Sequence, residues 1–236
     1  MIKHIVHTFD PIVQSSDPIT LIGGGDATPA DLQEALTFAP ICVAADGGAA
    51  LAISTGVELA AVVGDFDSIS SEILAQIPIA RQHHIAEQDS TDFQKALMRI
   101  NAPLILGVGF CGARVDHQLA GFHTLLAFAH QPCVLIAGNE LIFVAPPEMT
   151  LPCVAGDVVS LFPMAPVTGR STGLQWPIDG LQFEPGVQSG TSNRAVGPVH
   201  IQMDGPNMLM ILPRRLIQPV IAQLAERQRV QWPVRG

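Results

Sequence analysis

From about residue 18 to residue 146 the sequence alternates short apolar runs with helix-like stretches, and most of the runs end in glycine and aspartate. Alternation of this kind belongs to a parallel α/β sheet, and connection rules leave such a chain few topologies. ITLIGGG (19–25) reads as a buried strand closed by a glycine turn. ATPADLQEALTFAP follows as a helix, with Thr28 as N-cap and Pro29 at the first helical position. ICVAADGG (41–48) is the second strand and turn, residues 49–56 a helix, AAVVGDFDS (60–68) a third strand and SSEILAQI (70–77) a short helix. DSTDFQKALMRI (89–100) reads as one amphipathic helix, LILGVGF (104–110) as a strand and DHQLAGFHTLLAFAH (116–130) as the longest helix. CVLIAGNELIFVAP (133–146) supplies two further extended runs.

Beyond residue 147 the pattern changes. Short apolar segments separated by Gly, Pro and Ser (GDVVSLFPM, TGLQWPI, GVQSGTSNR, VHIQMD, MLMILP) predict a compact β-sandwich or barrel. RLIQPVIAQLAERQRV (215–230) predicts a terminal helix broken near Pro219. No repeat or low-complexity tract interrupts the chain.

Composition narrows the function. Twelve basic against 21 acidic residues leave a net charge of −9, with no basic run to follow a nucleic acid backbone. The expectation is no nucleic acid partner. A 48% hydrophobic content with only 14% charged residues indicates a globular chain with apolar surface to cover, which suits a second copy. Cys42, Cys111, Cys133 and Cys153 show no CxxC spacing and read as buried thiols in a reducing compartment. MIKHIVHTFDP has no long apolar h-region and no other run is long enough to span a bilayer, so a cytoplasmic protein without membrane contact is expected.

Ligands of open parallel sheets bind beyond the carboxyl ends of the strands. Here those ends carry Gly23, Gly24 and Gly25; Asp46, Gly47 and Gly48; Gly64, Asp65, Phe66, Asp67 and Ser68; and Gly107, Gly109 and Gly112 ahead of Arg114, Asp116 and His117. The turn before the helix at 89–100 adds Asp89, Ser90, Thr91 and Asp92. A single aspartate at such a place is an ordinary cap, but several brought to one edge repel one another unless a cation neutralises them. Oxygen donors without a His or Cys set suit Mg²⁺ better than Zn²⁺. Glycine turns let backbone amides approach phosphates, although none matches GxxxxGK[ST], and Arg114 is suited to bidentate phosphate binding. The residues alone describe a Mg²⁺-nucleotide phosphoryl-transfer site.

ADGGA (45–49), GDFDSI (64–69), DSTDFQKAL (89–97) and GFCGARVDHQLAG (109–121) resemble the successive motifs of the thiamine pyrophosphokinase family, and TGLQWPI, SGTSN and VHIQMDGPNMLMIL resemble its second domain. The resemblance implies an α/β protein: a Rossmann-like parallel-sheet domain for ATP and Mg²⁺ at residues 1–148, then a C-terminal β-sandwich domain for thiamine at residues 149–236. It implies transfer of the diphosphate of ATP to the hydroxyethyl group of thiamine, giving thiamine diphosphate and AMP, at active sites on a homodimer interface. Asp65, Asp67 and Asp92 would hold Mg²⁺, with Asp46 beside them. Thr91 and Arg114 would contact phosphates, with Gly23, Gly24, Gly47, Gly107 and Gly109 lining the nucleotide site, and Asp116 and His117 would shape it.

Trp176 would stack on the thiamine ring while Ser192 and Asn193 bond to its edge; without the family pattern these three read as a sandwich residue and a turn. Two positions depart from the family pattern: Ala113 stands in its GGRxDH motif and Gly121 in its LAN. Three alternatives stay open on the residues: a diphosphokinase of another heterocyclic alcohol such as a hydroxymethylpterin, a DxD phosphatase with Asp65 as nucleophile and Asp67 as acid, and a non-catalytic thiamine-binding protein.

Overall fold

The computed structural model describes residues 10–225 and 231–234. Its first elements are β1 (Val13–Gln14), β2 (Ile19–Ile22), α1 (Pro29–Phe38), β3 (Ile41–Ala45), α2 (Ala49–Ser54) and β4 (Leu59–Gly64). Then come α3 (Ser71–Leu74), β5 (Gln82–His84), α4 (Asp92–Leu97), β6 (Ile100–Asn101), β7 (Ile105–Val108) and α5 (Val115–Ala127). The remainder is β8 (Cys133–Ala137), β9 (Glu140–Val144), β10 (Glu148–Leu151), β11 (Val158–Pro163), β12 (Gly169–Leu174), β13 (Gly190–Met203), β14 (Met208–Pro213) and α6 (Ile217–Ala225). By compactness the chain forms two units, the first reaching Thr124 and the second spanning Leu125–Pro233.

In the first unit β2 pairs in parallel with β7, and β3, β4 and β5 form a parallel set with β3 beside β2. The chain therefore leaves β2 to one side and returns to its other side at β7, which makes the ends of β2 and β7 a topological switch point. All residues of β2 and β7 are buried, the pattern of parallel strands covered on both faces. α1 packs on β2 and β7, and α4 on β3 and β4.

Local sequence explains the boundaries. Thr28 caps α1 by accepting from the Asp31 N–H, Asp31 returns the bond to the Thr28 backbone, and Pro29 opens the helix. α4 is shorter than the sequence predicts. The Thr91 hydroxyl accepts from the Gln94 N–H and starts the helix there, while Ile100 is drawn into a strand pair with Val13.

The second unit contains the expected β-sandwich and begins earlier in the chain, taking in β8 and β9. β8, β9, β14, β11 and the first part of β13 form one antiparallel sheet, and the later part of β13 pairs with β10 and β12. The sequence predicts two strands where β13 is one of 14 residues, long enough to serve both sheets. Pro219 does not break α6, because it lies in the first turn, where a backbone N–H has no intrahelical partner to lose. The rest of that predicted helix, residues 226–230, lies outside the described residues.

Candidate active site

At the switch point, Gly23, Gly24, Asp46, Gly47, Thr91, Asp92, Gly109, Arg114 and His117 line a cleft of about 350 Å³, with Phe93 and Phe110 also in its wall. The two rings stack at 4.3 Å. Gly107 lies inside β7 and is buried in the sheet rather than lining the cleft. Gly121, on α5, also borders it; a Cβ there would have only ordinary contacts, 3.8 Å from the Phe110 carbonyl.

Asp46 begins the turn after β3 and is only 2% exposed. Its Oδ2 accepts the Ser68 N–H at 3.1 Å, and its Oδ1 is buried without a hydrogen-bond partner. A buried carboxylate oxygen left unpaired is costly unless a cation completes it. One carboxylate oxygen each from Asp46, Asp65 and Asp67 lies within 4.8 Å of the other two. Three hard oxygen donors, one of them orphaned, fit a divalent cation such as Mg²⁺. β4 ends on Gly64 so that Asp46 can lie against it: a Cβ on Gly64 would stand 2.8 Å from the Asp46 Cβ.

Asp92 is set apart from this trio. Its Oδ1 accepts from the Lys95 ammonium at 3.1 Å, and the same ammonium donates to Asp65 Oδ2 at 2.8 Å. Asp65 Oδ2 also accepts from the Gln88 side chain. The Lys95 hydrogen bond holds the Asp65 carboxyl below the usual range, against the opposing pull of partial burial. Burial instead pushes Asp92 up, outweighing Lys95, with Asp46 and Asp65 adding to the rise. Burial alone would depress Lys95; the bonds to Asp65 and Asp92 together hold its ammonium above the normal value.

Arg114 and Asp116 form a two-bond pair at the start of α5, at 3.1 and 2.6 Å, with both side chains 66% exposed. That hydrogen bonding takes the Asp116 carboxyl down to about 2. The Arg114 fork thus faces the cleft from a solvated position where an anion can compete for it.

In the second unit Trp176 follows β12 and is 55% exposed. Asn193 is buried, and its carboxamide is used on the Trp176 main chain: Oδ1 accepts the Trp176 N–H and Nδ2 donates to its carbonyl. Asn193 therefore holds Trp176 in place. Ser192, exposed beside it, has φ +61° and donates its N–H to the Ser160 hydroxyl. Four non-glycine residues among those described have positive φ: Asp46, Phe66, Ala113 and Ser192. Each is a candidate site residue or its neighbour, where strained backbone concentrates.

Sequence reasoning passed over two residues. Lys95 stands three positions after Asp92, the one spacing that could have flagged it. Asp26, in the turn before α1, accepts the Ala113 N–H and had no sequence signal.

The class of protein is thus an α/β unit with a carboxylate-rich, glycine-lined cleft, followed by a β-sandwich. The family model for the thiamin pyrophosphokinase catalytic domain matches residues 32–137, and that for the thiamin pyrophosphokinase vitamin B1 binding domain matches residues 147–208. The chain belongs to the thiamine pyrophosphokinase family. Thiamine pyrophosphokinase 3 of Oryza sativa subsp. japonica is 29% identical over 153 residues, 56% of this chain, and thiamine pyrophosphokinase 1 of the same plant is 28% identical. The matched stretch spans 57% of the length of these rice relatives. The fold is similar to thiamin pyrophosphokinase from Geobacillus thermodenitrificans, with a TM-score of 0.70 at 23% identity over 83% of this chain and 97% of that one. It is also similar to the Candida albicans enzyme, at TM-score 0.70 and 17% identity over 83% and 90%.

Proposed function

We propose that this chain is an ATP-dependent thiamine diphosphokinase. Family membership supports the reaction class, and the observation that carries the reading is the orphaned Oδ1 of Asp46 beside Asp65 and Asp67 in a glycine-lined cleft.

Residues 1–148 take ATP, with its phosphates against the main chain of Gly23, Gly24, Gly47 and Gly109. Thr91 and Arg114 contact phosphate oxygens, and Arg114 exchanges Asp116 for the anion. Asp46, Asp65 and Asp67 would hold Mg²⁺, and Lys95 ties Asp92 to Asp65 beside them. Bound there, Mg²⁺ would neutralise phosphate charge and orient the diphosphate. The hydroxyl oxygen of thiamine forms a bond to the β-phosphorus of ATP, the bond from that phosphorus to the bridging α–β oxygen breaks, and AMP leaves. Asp92, which lines the cleft, takes the hydroxyl proton.

Residues 149–236 take thiamine, with Trp176 on the ring and Ser192 at its edge; Asn193 serves by fixing Trp176. A homodimer supplies the thiamine residues to the partner's cleft. Exposed Phe162, Trp176, Leu181 and Val196 in the second unit support a surface for a second copy. Buried thiols at all four cysteines suit a reducing cytoplasm. Among the described residues no helix is long and apolar enough to cross a membrane.

The test is acceptor choice. Thiamine and a hydroxymethylpterin are offered together with ATP and Mg²⁺, and mass detection follows both diphosphates. Thiamine diphosphate alone is the expected product; pterin diphosphate alone would overturn the assignment of substrate.

A further inference from the structure

Lys95 is the least expected group in the first unit: a lysine 1% exposed, on the buried face of α4, outside the lining of the cleft. Lysine is rarely buried unless paired, and here the pairing is double, to Asp65 Oδ2 at 2.8 Å and to Asp92 Oδ1 at 3.1 Å. Enclosure keeps it from acting as a phosphate ligand. Asp65 and Asp92 thus converge on a single ammonium beside the Asp46, Asp65 and Asp67 cluster, and Asp46 Oδ1 remains unpartnered even so.

We propose that Lys95 is a resident counter-cation and positioning residue: it holds Asp65 and Asp92 in place while no metal is bound, and it weakens divalent-cation binding by the Asp46, Asp65 and Asp67 cluster. The inference rests on reading that cluster as a cation site.

The charge of Lys95 has two opposed effects. Without a cation, four carboxylates brought together repel, and an enclosed ammonium between two of them offsets part of that repulsion at a distance where water screens little. With a divalent cation present, the same ammonium becomes a like charge beside it and opposes binding. Lys95 also fixes which oxygen of Asp65 is committed. Oδ2 is taken by Lys95 and Gln88, so Oδ1 is the oxygen left to turn toward a metal, bonded only to the Asp67 N–H at 3.3 Å. A metal site of this kind keeps its shape when empty and releases its metal readily.

The two effects have opposite signs, which separates this role from ordinary packing. Mn²⁺ is titrated into nucleotide-free protein and followed by electron paramagnetic resonance, and Tm is measured in EDTA and in saturating Mn²⁺. Lys95→Met preserves the stem and removes the charge. It is expected to bind Mn²⁺ about tenfold more tightly than wild type, to lose Tm in EDTA and to regain most of it with Mn²⁺. Lys95→Arg keeps the cation and is expected to keep wild-type affinity; tightening in this variant as large as in Lys95→Met would assign the effect to packing and overturn the proposal.

Lys95→Met that binds Mn²⁺ no more tightly than wild type, or that is as unstable with Mn²⁺ as in EDTA, including a chain that folds in neither, also overturns it. If wild type binds Mn²⁺ and Lys95→Met binds it equally, only the role of Lys95 falls. If neither binds Mn²⁺, the cation reading of the cluster falls with it.

Discussion

Asp26 Oδ2 accepts the main-chain N–H of Ala113 at 3.0 Å, joining the turn after β2 to the loop before α5 across 87 residues of sequence. The bond lies at the surface, so its worth in stability is small, about 1 kcal/mol or less. Its effect is on shape, because it fixes the loop that carries Arg114 into the cleft. Asp26→Ala is expected to raise KM for ATP several-fold with a change in Tm of a few degrees at most, measured by steady-state kinetics and thermal denaturation.

Ala113 itself sits at φ +47°, a left-handed conformation that costs an alanine about 1 kcal/mol. Ala113→Gly should therefore raise the denaturation midpoint, by an amount worth roughly 0.5–1 kcal/mol. Gly112→Ala should lower it, since Gly112 has φ +80° and a Cβ there would come within 2.5 Å of Asp26 Oδ2. Chemical denaturation of the pair checks both signs.

Asp46→Asn keeps the oxygen that accepts from Ser68 and replaces the unpartnered Oδ1 with an amide nitrogen able to donate toward Asp65 or Asp67. The expected result is a protein more stable than wild type in EDTA, whose Tm no longer responds to Mg²⁺. Activity should fall by about a hundredfold or more. Thermal denaturation with and without Mg²⁺, beside a rate measurement, decides it.

Much of this arrangement was legible in the chain. Thr28, Pro29 and Asp31 announce α1, and the strand-end aspartates and glycines announce the cleft, because capping and turn chemistry are local. What was not legible depends on contacts distant in sequence. Nothing near residue 46 says that Asp46, not Asp92, stands closest to Asp65 and Asp67, since that follows from how β3 and β4 pair. Lys95 carries no local signal of burial, because that follows from how α4 packs on β3 and β4. The continuity of β13 was hidden because Gly197 and Pro198 look like a turn, while β12 pairs on both sides of them, at Ala195 and at His200, with a register shift between. Asn193, read as a ring contact, has its carboxamide occupied by Trp176.

Trp176 is 55% exposed, so its removal costs the fold little. Trp176→Ala should raise KM for thiamine about tenfold through lost stacking, with KM for ATP unchanged and Tm within a few degrees of wild type. A parallel rise in both KM values would contradict its placement at the thiamine ring.

Burial raises the Cys42 thiol to about 12, and the Cys111 and Cys153 thiols to about 11. Burial disfavours the thiolate, so at pH 8 only about one thiol in a thousand or fewer is in the reactive form. Native protein at pH 8 should resist iodoacetamide at these three positions, and unfolding in urea should expose all of them, as read by mass spectrometry.

The nucleotide product distinguishes transfer of a diphosphate to thiamine from transfer of a single phosphate. Purified protein is incubated with ATP, Mg²⁺ and thiamine, and nucleotides and thiamine esters are separated by ion exchange with mass detection. AMP and thiamine diphosphate in equal amounts, with no ADP, is the predicted result. ADP with thiamine monophosphate, or ATP left intact, would contradict it.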